Sequence, residues 1–382
     1  MDKEARSISL AEYARQVEPT DRLPLDDLQP VLLGLFGEVG SIMATAKKLH
    51  REGEAFVGYR HAVIEEFGDA LWYLAALCRR IKINIDAVFS EAIAAGSYTQ
   101  VLAATDTPEW PVAIASRVEA APALDAALLE LGEAAAALLS LARKARDPKA
   151  ALVPFVNSYL KALQAAGMTF AKIAEYNAAK TRGRFLAPDS NMLPTFDSTF
   201  DEEERIPDYF ELSITQRKSG KTYMQWKGVF IGDPLTDNIR DEDGYRFHDV
   251  FHFAHAAVLH WSPTFRALIK HKRKSDPKVD EAQDSGRAIV VEEGLTAWIF
   301  SRAKQLGFFE NQKTISFDML KTIQQFVNGY EVEQCPLKLW EDAILQGYQV
   351  FRQVRANQGG TIIGDRKSRK LSYQPPMGGA KT

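Results

Sequence analysis

From Leu25 to about Arg184 apolar residues recur three and four positions apart, the spacing of amphipathic helices, and alternating strand-like runs are nearly absent. Gly53, Gly58, Gly96, Pro108, Pro111, Pro148 and Pro154 punctuate this stretch. Helices are expected over about 25–51, 60–82, 85–95, 121–145 and 152–180. At Pro188–Pro207 the pattern lapses into a segment with three prolines, few aliphatics and the acidic run Asp201–Glu204, as a linker would read. Beyond it, DYFELSITQR and KTYMQWKGVFIG alternate apolar and polar residues around Lys218-Ser219-Gly220, which predicts a β-hairpin. Helical spacing returns over about 244–271, 285–306, 316–330 and 336–357, and a Gly/Lys/Pro-rich end follows.

The expected organisation is therefore an N-terminal segment (1–24), an all-α four-helix bundle (25–187), a linker (188–207), an α+β domain with a β-hairpin and several helices (208–357) and a flexible tail (358–382). A faint internal echo supports the bundle. LGLFGEVGSIM at 33 resembles LLELGEAAAAL at 128, and the helices that follow end in WYLAAL and SYLKAL. Glu133 stands opposite Glu38 in this echo, but FVNSYLKAL has no carboxylates to match EEFGDALWYL, so only the first copy can hold metal.

Composition narrows the function classes. Among 382 residues, 47 Lys and Arg against 50 Asp and Glu leave a net charge of −3, too weak a field to imply nucleic acid or an anionic membrane as partner. The basic run His271-Lys272-Arg273-Lys274 is followed by Asp276, Asp280, Glu281 and Asp284 and makes no extended basic surface, so it reads as a charged loop. No apolar run has the length of a signal peptide or a membrane span, and a cytoplasmic location is expected. Cys78 and Cys335 read as buried thiols rather than a disulfide.

Candidate chemistry enters with IEEFGDALWYLAAL. Glu66 and Asp69 stand three apart on one helix face, and an antiparallel return brings Glu38 of the preceding helix toward them. Hard oxygen ligands of this kind suit Mg²⁺, which binds through a few carboxylates plus substrate phosphates. Glu65, beside Glu66, is expected to point to a different face. Acids three apart on a helix are more often a solvated face, and Trp72 and Tyr73 are more often bundle core than a base-stacking platform. The wider pattern tips the balance: GLFGEVGSIMATAKK, VIEEFGDALWYLAAL and AEYNAAKTRGRF together resemble the MazG-type all-α nucleoside triphosphate pyrophosphohydrolases, relatives of dimeric dUTPases and dCTP pyrophosphatases, over roughly residues 25–185.

The resemblance implies that Glu38, Glu66 and Asp69 hold Mg²⁺, with Mn²⁺ as the other admissible ion, and that Asn177, Lys180 and Arg184 contact nucleotide or phosphate, with Lys47 or Lys48 adding a further contact. It implies hydrolysis of a nucleoside triphosphate between the α- and β-phosphates, Glu38 orienting the water, in a homo-oligomer, dimer or tetramer. The second acid of the family's E-x-x-E pattern is Ser41 here, so the first helix offers one carboxylate where the pattern has two. The alternative is a nucleotide-sensing module with slow or absent hydrolysis, coupled to the second half of the chain.

Five of the seven histidines lie between 248 and 271. His248, His252 and His255 fall on one helix face, and His248 with His252 has the i, i+4 spacing by which two imidazoles grip one metal. With Glu292 and Glu293 they form a candidate second site for a divalent metal. A third class of function, a metallohydrolase worked by His248, His252 and Glu292 or Glu293, follows from it. The bland alternative is that the imidazoles pack inside the domain, bonded to Asp249, Glu292, Glu293 or backbone carbonyls. The HDxxHxxH pattern resembles C-terminal extensions of some MazG-type proteins, and Trp226, Trp261, Trp298 and Trp340 are expected in the core of this domain.

Overall fold

The computed structural model describes residues 9–95, 98–101, 114–117, 122–143, 147–237 and 239–376. They form two compact units that divide between Leu186 and Ala187, close to the boundary expected near Ser190.

The first unit is helical: α1 (Leu10–Val17), α2 (Gln29–Glu52), α3 (Tyr59–Arg80), α4 (Ile85–Ala95), α5 (Leu124–Leu138), α6 (Pro148–Ala165) and α7 (Phe170–Phe185). Pro30 in the first turn and Gly53 at φ +53° bound α2, since proline costs nothing where the amide has no helical partner and glycine alone enters this conformation freely. The helix expected over 152–180 is two helices, broken at Gly167 with φ +68°. The expected N-terminal segment contains a helix, α1. Ser9 caps it by accepting from the Glu12 amide, and it buries Leu10, Tyr13 and Val17. The two helix pairs of the internal echo pack side by side, α2 against α3 and α5, and α5 against α6. Strands β1 (Tyr98–Val101) and β2 (Ile114–Arg117) pair antiparallel, a feature the helical periodicity did not announce.

The second unit is α+β as expected. Its strands are β3 (Tyr209–Gln216), β4 (Thr222–Trp226), β5 (Val229–Leu235), β6 (Gly359–Asp365) and β7 (Lys370–Gln374), and its helices α8 (Asp249–Ala254), α9 (Pro263–Ile269), α10 (Pro277–Val279), α11 (Gly286–Gln305), α12 (Phe317–Phe326) and α13 (Leu337–Asn357). The sheet is antiparallel in the order β5-β4-β3-β6-β7. The predicted hairpin is β3–β4, extended by β5.

Three expectations fail here. The segment taken as a flexible tail supplies β6 and β7, and β6 pairs with β3 along its whole length, from Tyr209–Asp365 to Thr215–Gly359. The glycines that made it look frayed are required by close approach. A Cβ at Gly364 would stand 2.1 Å from the Phe210 ring, and one at Gly360 2.3 Å from the Tyr373 ring. The segment 188–207 is likewise no free linker. Its Asp197 is buried and pairs with Arg266 of α9 and with Arg366 in the β6–β7 turn, both at 2.7 Å. Arg273, expected in a charged loop, is buried and forked onto Asp284 and Glu331, each at 2.7 Å.

The helix expected over 244–271 also divides. α8 runs into a π-helical turn over His255–Leu259, His260 takes φ +59°, and Ser262 caps α9 just before Pro263. Both cysteines are buried free thiols, pushed up to about 12 by burial. Of the four tryptophans expected in this core, Trp261 and Trp340 are fully buried, while Trp226 and Trp298 pack partly buried against it. Among the described residues no helix is long and apolar enough to cross a membrane.

Candidate functional site

In the first unit α2 and α3 approach closely because Gly34 has no side chain: a Cβ there would lie 2.0 Å from the Tyr73 ring. This contact sets the helix pair so that carboxylate oxygens of Glu38, Glu66 and Asp69 lie within 4.8 Å of one another. The gathering of charge is visible in Glu38. Partial burial first, then the nearby carboxylates of Asp69 and Glu66, push its pKa up to about 7, and it shares a hydrogen bond with Glu66.

α7 closes the site from the other side. Gly68 permits that approach, since a Cβ there would meet Asn177 Cβ at 2.9 Å. Asn177 is fully buried and donates from Nδ2 to Asp69 Oδ1 at 2.9 Å, while its Oδ1 accepts the Tyr13 hydroxyl at 2.7 Å. Lys180 Nζ lies 2.6 Å from Asp69 and 2.8 Å from Glu65, and these two carboxylates hold its pKa above the usual lysine value against the effect of burial. Arg184, one turn further along α7, is buried with its guanidinium 5.3 Å from the Phe185 ring.

Glu65, Tyr13 and Tyr73 are therefore members of this neighbourhood that sequence reasoning missed. Glu65 stands four residues before Asp69, so both face Lys180, and the i, i+4 spacing was the available signal. Tyr73 is partly buried beside the acids: burial, then Glu38 and Asp69, raise its pKa. Trp72 is core, as expected, with Nε1 donating to Thr20 at 2.8 Å. Lys47 and Lys48 are not brought to the acids by their own helix. At about 1.5 Å rise per residue they stand some 14–15 Å beyond Glu38 along α2, Lys47 exposed and Lys48 turned toward Glu52 at 3.9 Å and the Phe56 ring at 4.1 Å.

The raised Glu38 pKa carries a prediction. Between the unfolded carboxyl value, about 4.3, and about 7, the metal-free folded state binds more protons at Glu38 than the unfolded chain, so stability falls as pH rises through this window. Glu38→Gln is expected to flatten that slope and to exceed wild type in thermal midpoint at pH 8. Melts from pH 4 to 8 in chelator test this, and an unchanged slope would contradict it.

In the second unit the histidine stripe does meet Glu292 and Glu293 of α11. Glu292 is fully buried: its Oε1 takes His255 Nδ1 at 2.9 Å and lies 3.1 Å from His252 Nδ1, and its Oε2 accepts from Ser262 Oγ at 3.1 Å and the Thr264 amide at 3.0 Å. Burial alone would raise this carboxyl, but His252 and His255 bring it down to about 2. Burial disfavours the charged form of His252, yet Glu292 and Glu293 raise its pKa well above the ordinary value. The bland alternative thus holds for His255, satisfied by Glu292, and for His260, whose Nε2 meets the Arg366 carbonyl at 2.9 Å.

The comparisons with known proteins bear on this unit. Neither the curated proteins nor the solved structures contain a match to the chain. Residues 191–377, which span the sheet, the histidine stripe and α11, match the family model of the MazG C-terminal domain.

Proposed function

We propose that the first unit is a Mg²⁺-dependent nucleoside triphosphate pyrophosphohydrolase that cleaves between the α- and β-phosphates, releasing a nucleoside monophosphate and pyrophosphate. The observation that carries this reading is the convergence of Glu38, Glu66 and Asp69 beneath α7, with Asn177 and Lys180 both bonded to Asp69. The family match over 191–377 supports a nucleotide-related role without reaching these residues.

The donor set fits the ion: oxygen ligands on two rigid helices, packed closely enough to raise Glu38 to about 7, want a hard cation. Mg²⁺, when bound, supplies neutralisation of the triphosphate oxygens and acidification of a water. The chain supplies the rest. Glu38, poised near neutrality, is the group to accept the proton of the attacking water. Asn177 fixes the rotamer of Asp69 and is itself fixed by Tyr13, so the carboxylate stays aimed without reorganisation. Lys180 holds Glu65 and Asp69 apart from each other's charge, and a polyanionic substrate would draw it toward phosphate oxygens. A homo-oligomer belongs to the same reading, supported by Leu33 and Phe36, exposed one turn apart on α2, and Leu129, exposed on α5.

The test is pyrophosphate release from a panel of ribo- and deoxyribonucleoside triphosphates with Mg²⁺. Monophosphate and pyrophosphate in equal amounts support the reading, and orthophosphate instead, or no turnover with any base, contradicts it. A sensing module remains the second reading on one observation, the serine at 41 one turn beyond Glu38. If a missing carboxylate limits turnover, Ser41→Glu raises kcat with Mg²⁺, and unchanged or lower turnover counts against that account.

A further inference from the structure

The second unit contains an arrangement that hydrogen bonding leaves incomplete. His252 is fully buried, with Nδ1 3.1 Å from Glu292 and Nε2 3.3 Å from Glu293, yet neither nitrogen makes an aligned hydrogen bond. An imidazole at this depth without aligned partners is costly, and native interiors rarely leave one so. One helical turn earlier, His248 is held differently. Its ring stacks on Tyr245, centroids 4.5 Å apart at 4°, and its Nδ1 meets the Tyr245 carbonyl at 3.0 Å. That bond places the proton on Nδ1 and leaves the Nε2 lone pair bare, 3.6 Å from Glu293 Oε2.

Both Nε2 atoms thus face the same carboxylate, at 3.3 and 3.6 Å. Ligands bound tetrahedrally at about 2.0–2.1 Å stand about 3.4 Å apart. The geometry points to a site for one divalent transition-metal ion of the zinc class, held by His248 Nε2, His252 Nε2 and the Glu293 carboxylate. The cation supplies the partner that His252 Nε2 lacks and leaves Nδ1 to Glu292.

The supporting groups are of the kind that metal-bound imidazoles use, a backbone carbonyl behind one ring and a carboxylate behind the other. Glu292 is fixed in that supporting role. Its oxygens are already taken by His255, Ser262 and the Thr264 amide, so it stays behind the His252 ring, 3.1 Å from Nδ1, and Glu293 does the binding. Glu293 is 37% exposed and His248 13%, whereas His252 has no exposure, so the site opens to solvent on one side. Three protein ligands and an open position are the layout of a reactive centre rather than a structural one. Two imidazoles in the donor set favour zinc-class ions over Mg²⁺. This site is separate in residues and in ion preference from the acidic site of the first unit.

Co²⁺ is the probe, because a four-coordinate site with nitrogen ligands absorbs far more strongly in the visible than a six-coordinate site of oxygens alone. Full-length protein stripped with chelator and titrated with Co²⁺ is expected to develop a band that saturates at a single equivalent and is displaced by Zn²⁺ but not by excess Mg²⁺. His248→Gln and Glu293→Gln, both at partly exposed positions, are expected to lose the band while keeping the wild-type circular dichroism spectrum. Glu66→Gln is expected to keep it. No band in wild type, or a band that survives both His248→Gln and Glu293→Gln, would overturn the assignment. Should one variant fail to fold, the other decides.

Discussion

Glu66→Gln is expected to abolish pyrophosphate release, with kcat falling at least about 100-fold, the scale on which removing one preorganised charge-stabilising group acts. The substitution keeps shape and removes charge, so folding should survive it. Two effects then follow together. The Mg²⁺ dependence should shift to higher concentration, because a carboxylate donor is gone. Glu38 should also become more acidic, since Glu66 is among the charges that raise it to about 7, and the acidic limb, where protonation of this base cuts activity, should move to lower pH. Measuring kcat and KM against both pH and Mg²⁺ separates the outcomes. Residual activity close to wild type would remove the acidic cluster from the mechanism, and under the rival metallohydrolase reading the loss would follow His252→Ala instead.

The largest stability effect is expected in the second unit, from Asp197→Ala. Asp197 is 2% exposed and its two oxygens receive Arg266 and Arg366, while the Ile206 amide donates to it at 2.9 Å. Removing the carboxylate takes the nearest counter-charge from two buried guanidiniums, and such a loss typically costs about 3–5 kcal/mol because the partner charges remain in a poorly solvating interior. Urea denaturation should show the midpoint falling accordingly. Asp208→Ala is the control: Asp208 is 61% exposed and 3.7 Å from Arg366, and a carboxylate so open to solvent at that distance contributes less than about 1 kcal/mol.

The same residue fixes the sign of a pH effect. Burial would raise the Asp197 carboxyl, but Arg366 and Arg266 hold it below the ordinary value. Its contribution is therefore complete above the unfolded pKa, about 3.9, and is lost as pH falls through the lower folded value. The difference between wild type and Asp197→Ala should shrink in acid. A difference that stays constant down to pH 2 would mean that packing, and not charge, carries the effect.

The distribution of what was legible follows the range of the interactions. Helical class, the β3–β4 hairpin and the Glu66–Asp69 pair rest on neighbours three, four or two residues apart, and the sequence alone determined them, because local geometry sets which side chains share a face. The approach of Glu38 was legible for a related reason, as an antiparallel helix pair has few ways to close a short turn. His248 and His252 were legible by the same spacing, though not how Glu292 and Glu293 divide their roles.

Only the tertiary structure decided matters of rotation and burial. Glu65 joins the acidic neighbourhood because Lys180, more than a hundred residues later, reaches between it and Asp69. Lys47 and Lys48 leave it because a straight helix carries them away along its axis. The supposed tail became β6 and β7 because Gly360 and Gly364 give way to Tyr373 and Phe210, partners that no local window contains. Asp197 turned from linker acid to buried hub because Arg266, from the middle of the unit's chain, and Arg366, from near its end, converge on it. In each case the local pattern specified which residues could pair, and packing of distant elements selected the pairs that formed, since burial makes a partner obligatory only once the fold has excluded water.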